Sequence, residues 1–311
     1  MKNRRTFLKT SFALAGLGSV GEFDINLLAQ DREVRNPNED RIALNTATII
    51  HYGLPLFEQI RLAHEAGYQN IEIWFRDLDQ ALEEGKTLSE IRKRLDDFGM
   101  RVVGGINFFQ WGVPEEDKRK KALDAMKRGM EQMKALGCSR FAAAPSGIFH
   151  RNDVSLSEIA CRYREILELG EQFEVYPQLE IWGAGPTLSK LSDAVWVVTE
   201  AAHPEASLLL DVYHLFRGGN DFISLRQLNG KIMTNFHWND WPGGIPRLEL
   251  KDGDRVFPGD GAAPLDLVRG TLREIGFAGT FSLEIFNKGY CEKYSPNELL
   301  KLSYEKMKKA V

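Results

Sequence analysis

Leu208-Leu209-Leu210-Asp211-Val212-Tyr213-His214 is an apolar run that ends on a carboxylate, with an imidazole three residues later. The pattern recurs on both sides. Leu179-Glu180-Ile181-Trp182 lies upstream; Asn235-Phe236-His237-Trp238-Asn239-Asp240 and Ser282-Leu283-Glu284-Ile285-Phe286 lie downstream. Short apolar runs separated by helix-like stretches read as buried strands. A carboxylate in such a run is costly to bury unless something pairs with it. Four such segments therefore point to one shared site. Glu180, Asp211, His237 and Glu284 supply three oxygen ligands and one nitrogen. That set suits a hard or borderline divalent ion: Mn2+ first, with Mg2+, Zn2+ or Co2+ as alternatives.

Working outward, the chain alternates after residue 42. Strand-like runs lie near 43–50, 69–75, 101–107, 139–145, 176–182, 206–213, 231–238 and 280–286. Helix-like runs lie near 54–66, 87–99, 115–136, 156–173, 187–202, 221–229, 264–275 and 296–310. The longest carries Leu123, Met126, Met130, Met133 and Leu136 at near-helical spacing. Gly67, Gly137 and Gly276 each sit between a helix and a strand, as C-terminal caps do. Eight strands and eight helices in roughly 270 residues predict an α/β fold, a single (β/α)8 TIM barrel over 42–311. A doubly wound sheet would need a Gly-rich phosphate turn after the first strand, and Gly53-Leu54-Pro55 does not supply one. Barrel active sites lie at the C-terminal strand ends, so strands five to eight bring the four ligand candidates to one side of the mouth. The long irregular segment Asn239 to Ala263 follows strand seven and reads as a functional loop.

Composition bounds the rest. The 311 residues are 43% hydrophobic and 27% charged, with a formal net charge of -4, which argues against a nucleic-acid surface. Asn3-Arg4-Arg5-Thr6-Phe7-Leu8-Lys9 resembles the twin-arginine export signal, with Asn3 in place of the usual Ser or Thr. Residues 1–29 are read as that signal, 30–41 as an extension, and the mature protein as periplasmic. The apolar run Thr10 to Val20 is too short for a membrane span, so no stable insertion is expected. Cys138, Cys161 and Cys291 are too few and too far apart for a CxxC motif or a disulfide framework. A homo-oligomer is compatible with the sequence.

The ordered set Leu-Glu-Ile-Trp, Asp-Val-Tyr-His, Phe-His-Trp-Asn-Asp, Arg-Val-Phe-Pro-Gly-Asp-Gly and Ser-Leu-Glu-Ile-Phe resembles the xylose isomerase-like TIM-barrel superfamily. Within it, the set is most similar to the sugar phosphate isomerase/epimerase group, with its D-tagatose 3-epimerase, hydroxypyruvate isomerase and inosose dehydratase relatives. The resemblance implies that Glu180, Asp211, His237 and Glu284 are metal ligands. It implies that Glu180 and Glu284 also move the substrate proton, and that His214 and Arg255 contact substrate. One departure stands out: the epimerases carry a second Glu six residues after the first, and here that position is Pro186.

The implied chemistry is proton abstraction beside a carbonyl through a metal-stabilised enediolate. Returning the proton gives an epimer or an aldose–ketose isomer; losing a β-leaving group gives dehydration. A metal-dependent isomerase or epimerase is the first reading. A lyase or hydratase on a keto-sugar or keto-glycoside is the alternative, and a non-catalytic carbohydrate-binding barrel is a third. A DNA-repair enzyme of the endonuclease IV type would need a His where Arg255 stands and another at the end of strand three, where Asn107 stands. Glu72, Asn107, Trp182, Asp240 and Arg247 are further candidates for contact with a small carbohydrate-like substrate; His51 and His150 are weaker ones. Trp74, Trp111, Trp182, Trp238 and Trp241 all lie at or just after strand ends, where sugars stack on aromatic rings.

Overall fold

The computed structural model describes residues 38–311. The signal-like residues 1–29 and most of the 30–41 extension lie outside the described residues. Eight parallel strands form a nearly closed barrel: β1 Ile42–Asn45, β2 Asn70–Trp74, β3 Arg101–Ile106, β4 Arg140–Ala143, β5 Tyr176–Glu180, β6 Leu208–Asp211, β7 Asn235–Trp238 and β8 Thr280–Leu283. They pair in the order β3-β2-β1-β8-β7-β6-β5-β4. The seam between β3 and β4 is bridged by side chains instead. Asn107 Nδ2 donates to Ala142 O at 2.8 Å, and Trp111 Nε1 donates to Ala144 O at 2.8 Å.

Ten helices accompany the strands among the described residues. They are α1 Leu56–Ala66, α2 Phe75–Glu83, α3 Leu88–Asp97, α4 Glu116–Ala135, α5 Leu156–Glu171, α6 Leu191–Ala201, α7 Val212–Arg217, α8 Leu265–Glu274, α9 Lys288–Lys293 and α10 Pro296–Ala310. Thr87, Ser155 and Ser295 start α3, α5 and α10 with capping boxes to Glu90, Glu158 and Glu298, satisfying backbone donors that the helices leave open. Gly67 and Gly276 take φ of 106° and 76° after α1 and α8, a conformation that side chains resist. The strands are almost wholly buried between the helices and the barrel interior, which explains their continuous apolar character.

Several expected elements differ. The run near 43–50 stops being strand at Asn45, because its side chain accepts from Ala47 N and starts a 3-10 turn over Thr46–Tyr52. The helix expected near 221–229 is a 3-10 turn, Phe222–Gln227. The short helices α2, α7 and α9 were not expected. Among the described residues, no helix is long and apolar enough to cross a membrane.

Candidate active site

Glu180 and Asp211 are the last residues of β5 and β6, His237 is in β7 opposite Asp211, and Glu284 directly follows β8. All four therefore rise at the C-terminal end of adjacent strands. The His237 side chain is the hub. Its Nδ1 lies 3.2 Å from Glu284 Oε2, 3.6 Å from Asp211 Oδ2 and 3.9 Å from Glu180 Oε1. That nitrogen is buried and has no hydrogen-bond partner. An orphaned imidazole nitrogen facing three carboxylate oxygens is an arrangement that positive charge would satisfy, a metal ion or, without one, a proton on the ring. Asp211, His237 and Glu284 can each place one ligand atom within 4.8 Å of the others. These three residues fit a divalent ion; Glu180, with Oε1 3.9 Å from His237 Nδ1, stands beside them and outside that group.

The Asp211 carboxylate divides its work. Oδ1 accepts from His214 N at 2.8 Å and caps α7, while Oδ2 accepts from Asn239 Nδ2 at 2.9 Å and Arg255 Nη1 at 3.2 Å and faces His237. Capping and site-building are thus compatible in one residue. Arg255 is fully buried. Its Nη1 donates to Glu284 Oε2 at 2.7 Å and its Nη2 to Asp252 Oδ1 at 2.7 Å, with its guanidinium 4.5 Å from the centre of the Tyr213 ring. Glu284 Oε1 accepts from Asn45 Nδ2 at 3.1 Å. Glu180 accepts no hydrogen bond among the described residues.

These differences separate the two glutamates electrically. With only the protein's own charges around it, burial pushes Glu180 up to about 8. Burial also acts on Glu284 and Asp211, but His237 and Arg255 beside Glu284, and Arg255 beside Asp211, outweigh it and hold both below the usual carboxylate range. Burial lowers His237, yet Glu284 and Glu72 raise it well above an ordinary imidazole. Burial and Arg255 lower His214, which keeps that ring neutral.

Above this floor opens a cavity of about 530 Å3. Its lining combines the polar Glu180, Glu284, His214, Arg255 and Asp252 with the aromatic Trp74, Phe108, Phe149, Trp182 and Phe286. The rings meet edge to face: Phe108 touches Trp74 at 5.3 Å and Trp182 at 5.7 Å. His51, exposed, is also at the rim. The volume suits a monosaccharide-sized molecule. A larger cavity of about 810 Å3 lies near the opposite end of the barrel, beside the first residues of β2 and β3, and holds none of these residues.

Three expected substrate contacts are corrected. Glu72 is buried beneath the mouth, where it accepts from Asn45, Asn235 and Ser282 and meets His237 Nε2 at 2.9 Å. Asn107 spans the β3–β4 seam and accepts from Phe109 N. Asp240 accepts from the backbone of Trp241, Gly259, Gly261 and Ala263, so its carboxylate anchors the loop. Trp74 and Trp182 line the cavity, but Trp111, Trp238 and Trp241 pack in the core. Arg247 donates to Arg217 O and His150 packs on its neighbour Phe149, and neither is among the residues that line the cavity. Sequence reasoning missed Asn45, Asn239 and Asp252, whose short polar side chains orient the others. It also missed Phe108, Phe149 and Phe286; an aromatic residue after a strand gives no sign of whether it faces core or mouth.

Residues 60–310 match the family model described as xylose isomerase-like TIM barrel. The chain belongs to the xylose isomerase-like TIM-barrel family. An inosose isomerase of Bacillus velezensis is 27% identical over 274 residues, 85% of this chain and 95% of that one. A 3-dehydroshikimate dehydratase of Pseudomonas putida is 25% identical over 248 residues, 75% of this chain but 36% of that longer one. The crystal structure of the IOLI protein with a bound zinc atom superposes with a TM-score of 0.80 at 25% identity, covering 87% of this chain and 98% of that one. The relatives are sugar isomerase-like enzymes, with dehydratases among them.

Proposed function

We propose that this protein is a divalent-metal-dependent isomerase or epimerase of a keto-polyol, a sugar or a cyclic polyol of the inosose kind. The observation that carries the reading is His237 Nδ1, buried, unpartnered and faced by Glu180, Asp211 and Glu284 at the floor of an aromatic-walled cavity. Those four residues would hold the ion, which supplies Lewis-acid stabilisation of the negative charge that develops on a carbonyl oxygen when the neighbouring carbon loses a proton. We propose Mn2+ as the resident ion; Zn2+, the ion in IOLI, is its competitor.

The chain's own groups divide the remaining tasks. Glu180 lines the cavity without a hydrogen-bond donor to hold it, so it is the carboxylate free to take a proton from carbon and return it. Glu284 is fixed by Arg255 and Asn45 and stays ionised, suited to face the opposite side of the reacting carbon. His214 and Arg255 line the cavity with Arg255 Nη2 3.1 Å from His214 Nε2, a pair that substrate oxygens would meet on entering. The wall from Trp74 to Phe286 stacks on C–H faces and excludes water.

Dehydration of a keto-sugar is the second reading. Pro186, where the epimerases have a carboxylate, and the similarity to a dehydratase support it. Wash-in of solvent deuterium into a panel of ketoses, inososes and keto-glycosides, followed by NMR, tests both. Epimerases and isomerases exchange a C–H; a dehydratase releases an enone. Glu180→Gln and Glu284→Gln should each abolish the exchange. Full turnover by both variants on the wild-type substrate means the proton-transfer roles are wrong. No exchange and no elimination across the panel favours a binding protein. We also propose export through the twin-arginine segment Asn3 to Lys9, which would let the chain take up its ion before meeting periplasmic zinc or copper.

A further inference from the structure

We propose that Glu72 is a positioning residue that fixes which nitrogen of the His237 ring carries hydrogen, so that the Nδ1 lone pair faces the carboxylates; the proposal rests on the metal-site reading above. The hydrogen-bond partners leave little freedom. Asn45 Oδ1 accepts from Trp74 Nε1 at 2.9 Å and Ala47 N at 2.9 Å, both obligate donors. That fixes the Asn45 amide with Nδ2 toward Glu72 Oε2, at 2.8 Å. Asn235 Oδ1 accepts from Phe236 N and Thr280 Oγ1, which turns its Nδ2 toward Glu72 Oε1 at 2.7 Å. Ser282 Oγ donates to Oε2 at 2.8 Å. Glu72 is thus surrounded by donors and acts only as an acceptor.

His237 Nε2, 2.9 Å from Oε2, joins this ring of contacts favourably only as a fourth donor. Once the ring has shed its extra proton to bind an ion, the neutral imidazole has one N–H, so Nδ1 then carries the lone pair. A lone pair 3.2 to 3.9 Å from three carboxylate oxygens is repelled by them and attracted only by a cation. The fold makes room for this device at Gly104, on the neighbouring strand, where an added Cβ would fall 2.5 Å from Glu72 Oε1. Glu72 is not among the residues that line the cavity, and its hydrogen-bonded routes to the site run through His237 and Asn45.

Glu72→Gln keeps the shape but replaces one carboxylate oxygen with an NH2 that donates two hydrogens, so it cannot receive all four. Zn2+ affinity, measured by competition with a chelator, should weaken about 10- to 100-fold. Ser282→Ala, which removes a donor to Glu72 and leaves the His237 contact, should lose thermal stability with less than a threefold change in affinity. Long-range proton–nitrogen correlation spectra of Zn2+-loaded protein with labelled histidine read the tautomer directly, and should show His237 protonated at Nε2. Hydrogen on Nδ1, or Glu72→Gln affinity within twofold of wild type, overturns the proposal while leaving the metal site standing. Wild-type protein that takes up no Zn2+ overturns both. If Glu72→Gln does not fold, the wild-type spectrum decides alone.

Discussion

Replacing Arg255 with Met would test how charge is balanced at the barrel mouth. The guanidinium is 1% exposed and lies 2.7 Å from Glu284 Oε2, 3.2 Å from Asp211 Oδ2 and 2.7 Å from Asp252 Oδ1. It is the one cationic side chain paired with the carboxylates around His237 among the described residues. Methionine fills the space of its stem beside Tyr213 and Phe286, so the loss is chiefly of charge and hydrogen bonds. Removing one partner of a buried ion pair costs about 3–5 kcal/mol, because the other charge is left uncompensated. At about 2–4 °C per kcal/mol for a domain of this size, the metal-stripped variant should melt roughly 6–20 °C below wild type. A bound dication restores the missing positive charge, so the metal-loaded variant should lose less than half as much. Circular-dichroism melts of both proteins in chelator and in excess Mn2+ measure the four values. Equal losses with and without metal would refute the reasoning, since they would show that Asp211 and Glu284 do not share their charge with an ion.

Other expectations follow from the same geometry. Glu180, pushed up to about 8 by burial, and His237, raised by Glu284 and Glu72 against burial, both hold protons at pH 7 in the protein alone. Ligands must shed protons to bind, so metal uptake at pH 7 should release protons and tighten as pH rises toward 8; calorimetry in two buffers of different ionisation enthalpy reads the number, and zero release contradicts the assignment. Gly104→Ala should destabilise by about 1–3 kcal/mol through the clash with Glu72 and weaken metal binding as well. Gly270→Ala in α8, where an added Cβ meets nothing within 4 Å, should be neutral or slightly stabilising by comparison in the same melts. Changing Arg4 and Arg5 to Lys should leave the protein in the cytoplasmic fraction if the twin-arginine segment directs export; unchanged periplasmic recovery would exclude it.

The barrel was legible because buried parallel strands leave continuous apolar runs, and because Gly67, Gly137 and Gly276 mark where helices give way to strands. Boundaries were not. The strand-like run near 206–213 crosses from β6 into α7, because the Asp211 side chain turns the chain from strand to helix by capping His214 N. The helix α2 was missed because its apolar residues, Phe75, Leu78 and Ala81, follow the β2 run without a break. Depth was the least visible property. Glu72-Ile73-Trp74 and Glu180-Ile181-Trp182 are the same tripeptide, and both tryptophans reach the cavity. β5 ends at Glu180, whereas β2 continues two residues past Glu72. That difference leaves Glu180 at the mouth and puts Glu72 under it, where it meets the far side of the His237 ring. No periodicity distinguishes Glu180, at the mouth, from Glu72, which holds His237 from beneath, because both are carboxylates facing inward.

Anomalous diffraction from crystals grown with Mn2+ bears most directly on the claim that Glu180, Asp211, His237 and Glu284 hold one divalent ion. A single strong peak within bonding distance of His237 Nδ1 and of oxygens from all three carboxylates is the predicted result. A peak elsewhere, or no peak at this position with Mn2+ in excess, would contradict it.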